Sequence, residues 1–94
     1  MKIKGFIWYR KIIDKILWKH HVKREEVEEV FANKPKFTFI EKGKVKNENL
    51  YSARGQTDAG RYLVVLFIYK KTKEALIITA RDMDAKERRN YGKK

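Results

Sequence analysis

The chain has 94 residues, with 24 lysines and arginines against 12 acidic residues and a net charge of +12. That length fits a single domain over residues 1–94. The absence of cysteine excludes disulfides, thiolate metal sites and cysteine nucleophiles.

Two adjacent histidines and scattered carboxylates form no metal-ligand spacing, so neither a metal nor another cofactor is expected. The opening MKIKGFIWYRKIIDKILWKHH never runs apolar long enough for a signal-peptide core or a membrane span, which predicts a cytoplasmic protein without membrane contact. Lys2 to Trp8 reads as a short first strand. Ile13, Ile16, Leu17 and His20 then recur at helical spacing and predict an amphipathic helix. A second helix is expected over Arg24 to Ala32, with Val27, Val30 and Phe31 facing inward. Its acidic first turn suits the positive end of the helix dipole. Val22 and Val27 are placed as a hydrophobic staple, although Lys23 is a poor N-cap. Asn33-Lys34-Pro35 ends the helix.

From there the period changes from 3.6 to 2. KFTFI alternates like a strand, EKGKVKNEN is a polar loop, and LYSARGQT alternates again. DAGR is a tight-turn signal. YLVVLFIY, Tyr62 to Tyr69, is apolar at every step, as a central strand covered on both faces would be. KKTKE makes the next turn and ALIITA the last strand. Asp84 and Glu87 have the spacing of a capping box for a final helix. That helix has too little apolar surface to sit deep in a core, so it must lie on the surface near Arg81 and present cations, Lys93 and Lys94 included. The expected fold is α+β: strand, two helices, an antiparallel meander of about four strands and a C-terminal helix.

The acids Glu25, Glu26, Glu28 and Glu29 crowd into one short segment, which leaves the remaining surface more basic than the total suggests. Such a field attracts polyanions, whether nucleic acids or acidic proteins.

Three segments, LWKHHVKREEVEEVF, GQTDAGRYLVVLFIY and IITARDMDAKERRNY, together resemble the BrnT-like toxin family within the RelE-like ribonuclease superfamily, over a span from Trp8 to Tyr91. The resemblance implies an RNA-cleaving toxin of a type II toxin–antitoxin system. It also implies a ribbon-helix-helix antitoxin that binds DNA and caps the toxin, and it leaves room for a homodimer within that complex. Many relatives carry an arginine directly after the glycine of the second meander strand. Here that position is Gln56, after Gly55, and an arginine precedes the glycine as Arg54. Strand alternation puts Arg54 and Gln56 on one side. The cation is therefore either displaced by two positions along one face, or lost with some of the nuclease activity. Arg61 and Arg81 match the family in RYLVVLF and ITAR, and Lys86, Glu87, Arg88 and Tyr91 match it in KERRNY.

RNA is cut when its 2′-hydroxyl attacks the neighbouring phosphate, which requires removal of one proton, delivery of another and stabilisation of added negative charge. Arginine suits the last task because its fork grips two oxygens and stays charged. The candidate catalytic residues are Arg61, Arg81, Lys86, Arg88 and Tyr91, with Arg61 and Arg81 expected to converge on one pocket beside the last helix. Lys86 and Tyr91 are the candidate proton carriers. Arg88 and Arg89 diverge by about 100° around a helix, so only one of them is expected to face Arg81. Arg54, Gln56, Lys42, Lys44 and Lys46 are candidate RNA contacts. Each also has a plainer role: Arg61 as a solvated turn residue, Glu87 as a cap, Tyr91 as packing, His20 as the end of a helix stripe. Trp8, Tyr9 and Trp18 fit either base stacking or a core. Without a strong acid/base pair, a non-catalytic RNA- or protein-binding module on the same fold stays open beside the nuclease.

Overall fold

The computed structural model describes residues 1–92. Lys93 and Lys94 lie outside the described residues. In chain order the elements are β1 (Gly5–Ile7), α1 (Arg10–His20), α2 (Arg24–Ala32), β2 (Lys36–Glu41), β3 (Leu50–Gln56), β4 (Tyr62–Tyr69), β5 (Glu74–Asp82) and α3 (Ala85–Tyr91). The strands form one sheet in the order β1-β5-β4-β3-β2. Strands β2 to β5 are the expected antiparallel meander, and β1 adds to its edge parallel to β5, which makes the sheet mixed. The first strand is shorter than the predicted Lys2–Trp8, and the last runs beyond Ala80 to Asp82.

Period-2 alternation sorts the sheet into two faces. Leu63, Val65 and Phe67 of β4, Ala53 of β3 and Ala75, Ile77 and Ala80 of β5 are buried beneath the helices, against Ile16 of α1 and Val27 and Val30 of α2. Phe31 completes this layer with edge-on contacts to Phe6 and Phe67, at 5.0 and 5.2 Å between ring centres. Val22 and Val27 are both fully buried, as a staple requires. Leu17 departs from expectation. The face of α1 that meets the sheet is centred on Ile12 and Ile16, so Leu17 stays about half exposed at its margin.

Helix α2 approaches β3 closely at Gly55. A Cβ there would stand 3.2 Å from Val30 and 3.3 Å from the Pro35 ring, tighter than ordinary packing. Glycine lets the helix seat directly on the strand that carries Arg54.

One irregularity sets the direction of Arg81. Phe67 pairs with Ile77 but Leu66 pairs with Thr79, so Ile78 is an extra residue in β5. Before this bulge the odd-numbered residues Ala75 and Ile77 face the helices; after it the even-numbered Ala80 does. An unbroken alternation would turn Arg81 inward with Ile77. The bulge turns it to the opposite face.

Candidate nucleic-acid interface

The face of the sheet remote from α1 and α2 holds a single cross-strand row of cations. Lys36 of β2 pairs with Arg54 of β3, Arg54 with Val64 of β4, and Val64 with Arg81 of β5. Neighbouring strands are about 4.8 Å apart, so Arg54 and Arg81 stand about 10 Å apart at the backbone. The next row, Thr38–Ser52–Leu66–Thr79, is uncharged.

Helix α3 lies against this row. It starts where predicted: the Glu87 N–H donates to Asp84 Oδ1 at 2.8 Å, and the Asp84 N–H donates to Glu87 Oε1 at 2.9 Å. No residue of α3 is buried. Three side chains and one carbonyl dock it. The Arg88 guanidinium lies 4.3 Å above the centre of the Tyr62 ring, and Tyr91 meets the same ring edge-on at 6.0 Å. Lys36 Nζ donates to the Tyr91 carbonyl at 2.7 Å. Arg81 grips Glu87 in a two-pronged pair, Nη1 to Oε1 at 2.7 Å and Nη2 to Oε2 at 2.9 Å. The hydrogen bonds from Arg81, helped by the Asp84 N–H and the charge of Arg54, pull the Glu87 carboxyl down to about 2 from 4.5. The same pairing pushes the Arg81 guanidinium up from its ordinary value.

Arg54 stands differently. Its Nε is buried and makes no hydrogen bond among the described residues. An unmatched donor in a buried position is costly unless a ligand satisfies it. The row thus contains one arginine whose fork already holds a carboxylate, and beside it a second whose Nε is unpaired.

The expected convergence of Arg61 with Arg81 does not occur. Arg61 follows the turn at Gly60, whose φ of +90° suits glycine, and points to the helix side. Its Nε and Nη2 donate to the two oxygens of Asp82 at 2.7 and 3.0 Å. Nη1 donates to the His21 carbonyl at 2.8 Å and to Glu26, and Nη2 donates to the His20 carbonyl at 3.0 Å. These carbonyls end α1, where no helical N–H remains to meet them. Pairing with Asp82 first, and Glu26 second, raises the Arg61 guanidinium from its ordinary value, and the Asp82 carboxyl is lowered in return. The adjoining hollow is bordered by Glu25, Glu26, Glu29 and Asp58, carboxylates that repel a phosphate. Arg61 is a clamp between α1, α2 and β5.

The other predicted residues divide between the two regions. Arg54, Arg81, Arg88 and Tyr91 meet at the row; Gln56 borders it, paired with Tyr62 and donating to the Gly60 carbonyl at 3.3 Å. Lys86 and Arg89 are exposed and lie about 100° from Glu87 and Arg88 respectively. Lys42, Lys44 and Lys46 are exposed in the β2–β3 loop, at the far end of the strands. Trp8 donates to Glu28 at 3.0 Å and packs at the core, whereas Trp18 is 82% exposed on α1. Lys36 and Tyr62 escaped the sequence reading. Alternation in KFTFI already puts Lys36 and Thr38 on one face, but it does not reveal that Arg54 is the partner of Lys36.

Among the described residues no cluster of side chains could hold a metal ion, and no helix is long and apolar enough to cross a membrane. A family model described as the ribonuclease toxin BrnT of type II toxin–antitoxin systems matches residues 9–87. No curated protein matches the chain.

Proposed function

Because the chain belongs to the BrnT family of ribonuclease toxins of type II toxin–antitoxin systems, we propose that it binds and cleaves RNA on the far face of its sheet, at the row Lys36–Arg54–Val64–Arg81. The buried, unpaired Nε of Arg54, two strands from Arg81, is the observation that carries this assignment. Two guanidinium forks and the Lys36 ammonium supply fixed positive charge where a phosphate gains negative charge. Such preorganised donors are commonly the largest contribution to this chemistry. Glu87 occupies the Arg81 fork much as two phosphate oxygens would, and it keeps the fork oriented until RNA replaces it.

In the reaction the 2′-hydroxyl loses its proton as its oxygen bonds to phosphorus. The 5′-oxygen leaves and takes up a proton, giving a 2′,3′-cyclic phosphate and a 5′-hydroxyl. Lys36 and the phenols of Tyr62 and Tyr91 are the proton-bearing groups gathered at the row. Arg88, stacked on Tyr62, adds charge at its margin. The family implies a cognate antitoxin; we assign it the ribbon-helix-helix type, with an acidic segment covering the cationic face.

The non-catalytic module keeps one observation in its favour: the Arg81 fork is already filled by Glu87. Incubation of purified protein with end-labelled RNA separates the two. Cleavage to cyclic-phosphate ends supports the nuclease. Retarded, intact RNA supports the module, and neither cleavage nor retardation rejects both.

A further inference from the structure

The opposite end of the sheet carries a second cationic surface that the row does not use. The β2–β3 loop brings Lys42, Lys44 and Lys46, and the β4–β5 turn brings Lys70, Lys71 and Lys73. Main-chain contacts hold these turns together with the N-terminal segment. The Tyr69 N–H donates to the Asn49 carbonyl at 3.2 Å, and the Lys4 N–H donates to the Lys73 carbonyl at 2.8 Å, which brings Lys4 to the same end. The Tyr69 hydroxyl donates to the Lys2 carbonyl at 2.7 Å. Two hollows, one bordered by Lys42, Lys44 and Lys46 and the other by Lys70, Lys71 and Lys73, share Asn47 and Asn49 as their common wall, so the lysines form one continuous surface. Of the acids nearby, Glu48 is paired with Lys70 at 2.9 Å and Glu74 accepts from Thr72 at 2.8 Å.

We infer that this lysine pole is a second RNA-binding surface, one that holds the phosphate backbone of the substrate strand away from the point of cleavage. The inference rests on the RNA-binding function proposed above. The cation row crosses β4 at Val64 and the pole begins at Lys70, and six steps of roughly 3.3 Å set the two surfaces about 20 Å apart. The uncharged row Thr38–Ser52–Leu66–Thr79 lies along the way, so a polyanion leaving Arg54 meets no carboxylate there. Lysine ammoniums on separate turns suit phosphates, whose contributions accumulate charge by charge and need no fixed geometry. Protein interfaces, by contrast, deplete lysine from their cores.

The test compares wild type with a variant carrying Lys42→Gln, Lys44→Gln, Lys46→Gln and Lys71→Gln. All four side chains are exposed, so the fold is retained. Affinity is measured against salt for RNAs of about four and about twenty nucleotides, with poly-glutamate as a second ligand. In wild type the long RNA binds more tightly than the short one. In the variant that advantage shrinks by about tenfold or more, and the salt dependence for the long RNA falls by up to about 3 in logarithmic slope. Wild-type affinity and slope in the variant overturn the pole while leaving the row untouched. Lysine-dependent binding of poly-glutamate but not of RNA assigns the surface to an acidic protein and overturns it also. Failure of wild type to bind either RNA rejects the function itself, and the pole with it.

Discussion

Arg61 and Arg81 lie on opposite faces of one sheet: Arg61 is enclosed by the carbonyls that end α1, while Arg81 is turned outward to hold Glu87. Residues that look equivalent in a basic sequence therefore do different work. One ties helices to the sheet, and the other stands in a row with a second arginine whose Nε has no hydrogen-bond partner among the described residues.

Arg61→Ala is expected to lower stability rather than remove phosphate contacts. It removes the donor to the His20 and His21 carbonyls and to Asp82, and leaves Glu26 with the Lys23 N–H alone. With hydrogen bonds to charged groups worth about 1.5–3 kcal/mol, a loss of about 3 kcal/mol is expected for this partly solvated set. Arg61→Lys recovers little of it, because an ammonium cannot span the fork. Urea unfolding measures the difference. Wild-type stability in Arg61→Ala contradicts the clamp.

The Arg81–Glu87 pair makes the docking of α3 dependent on pH. The Glu87 carboxyl is lowered in the folded state to about 2 from 4.5. Its contribution is therefore fully present above pH 4.5 and fades as pH falls toward 2. Acid titration of the Glu87 carboxyl by NMR should give a midpoint near 2 in wild type, moving up toward 4.5 in Arg81→Ala. A wild-type midpoint that stays at 4.5 shows that the pair is not formed in solution.

Gly55→Ala tests how tightly α2 is seated on β3. The added methyl meets Val30 at 3.2 Å and Pro35 at 3.3 Å. Overpacking of this kind costs about 1–3 kcal/mol. Thermal unfolding should shift down by several degrees, roughly 4–8 °C per kcal/mol in a domain of this size. An unchanged or higher Tm shows that the helix has room to move.

Much of the fold was legible because hydrophobic period is local. The bounds expected for α2 and for β4 coincide with the observed Arg24–Ala32 and Tyr62–Tyr69, and the Asp84–Glu87 capping box forms as its spacing suggested. The candidate site was less legible because it depends on register and on one inserted residue. Neither the pairing of Lys36 with Arg54 nor the bulge at Ile78 leaves a mark in residue type, and without that bulge Arg81 faces the core. The motif that carries Arg61 is visible in sequence, but two of its partners are main-chain carbonyls at the end of α1, some forty positions away, and a third is Asp82 of β5. The face of Arg54 needed only alternation, since Arg54 and Gln56 flank Gly55, which faces the helices as Ala53 does.

The central claim is that Arg54 and Arg81 form one phosphate cradle, and its most direct measure is the single-turnover rate of RNA cleavage by wild type and by Arg54→Ala. Loss of one such donor is worth on the order of 3 kcal/mol, so the rate of Arg54→Ala should fall by about a hundredfold, with Arg81→Ala falling comparably. A rate for Arg54→Ala within about twofold of wild type contradicts the account.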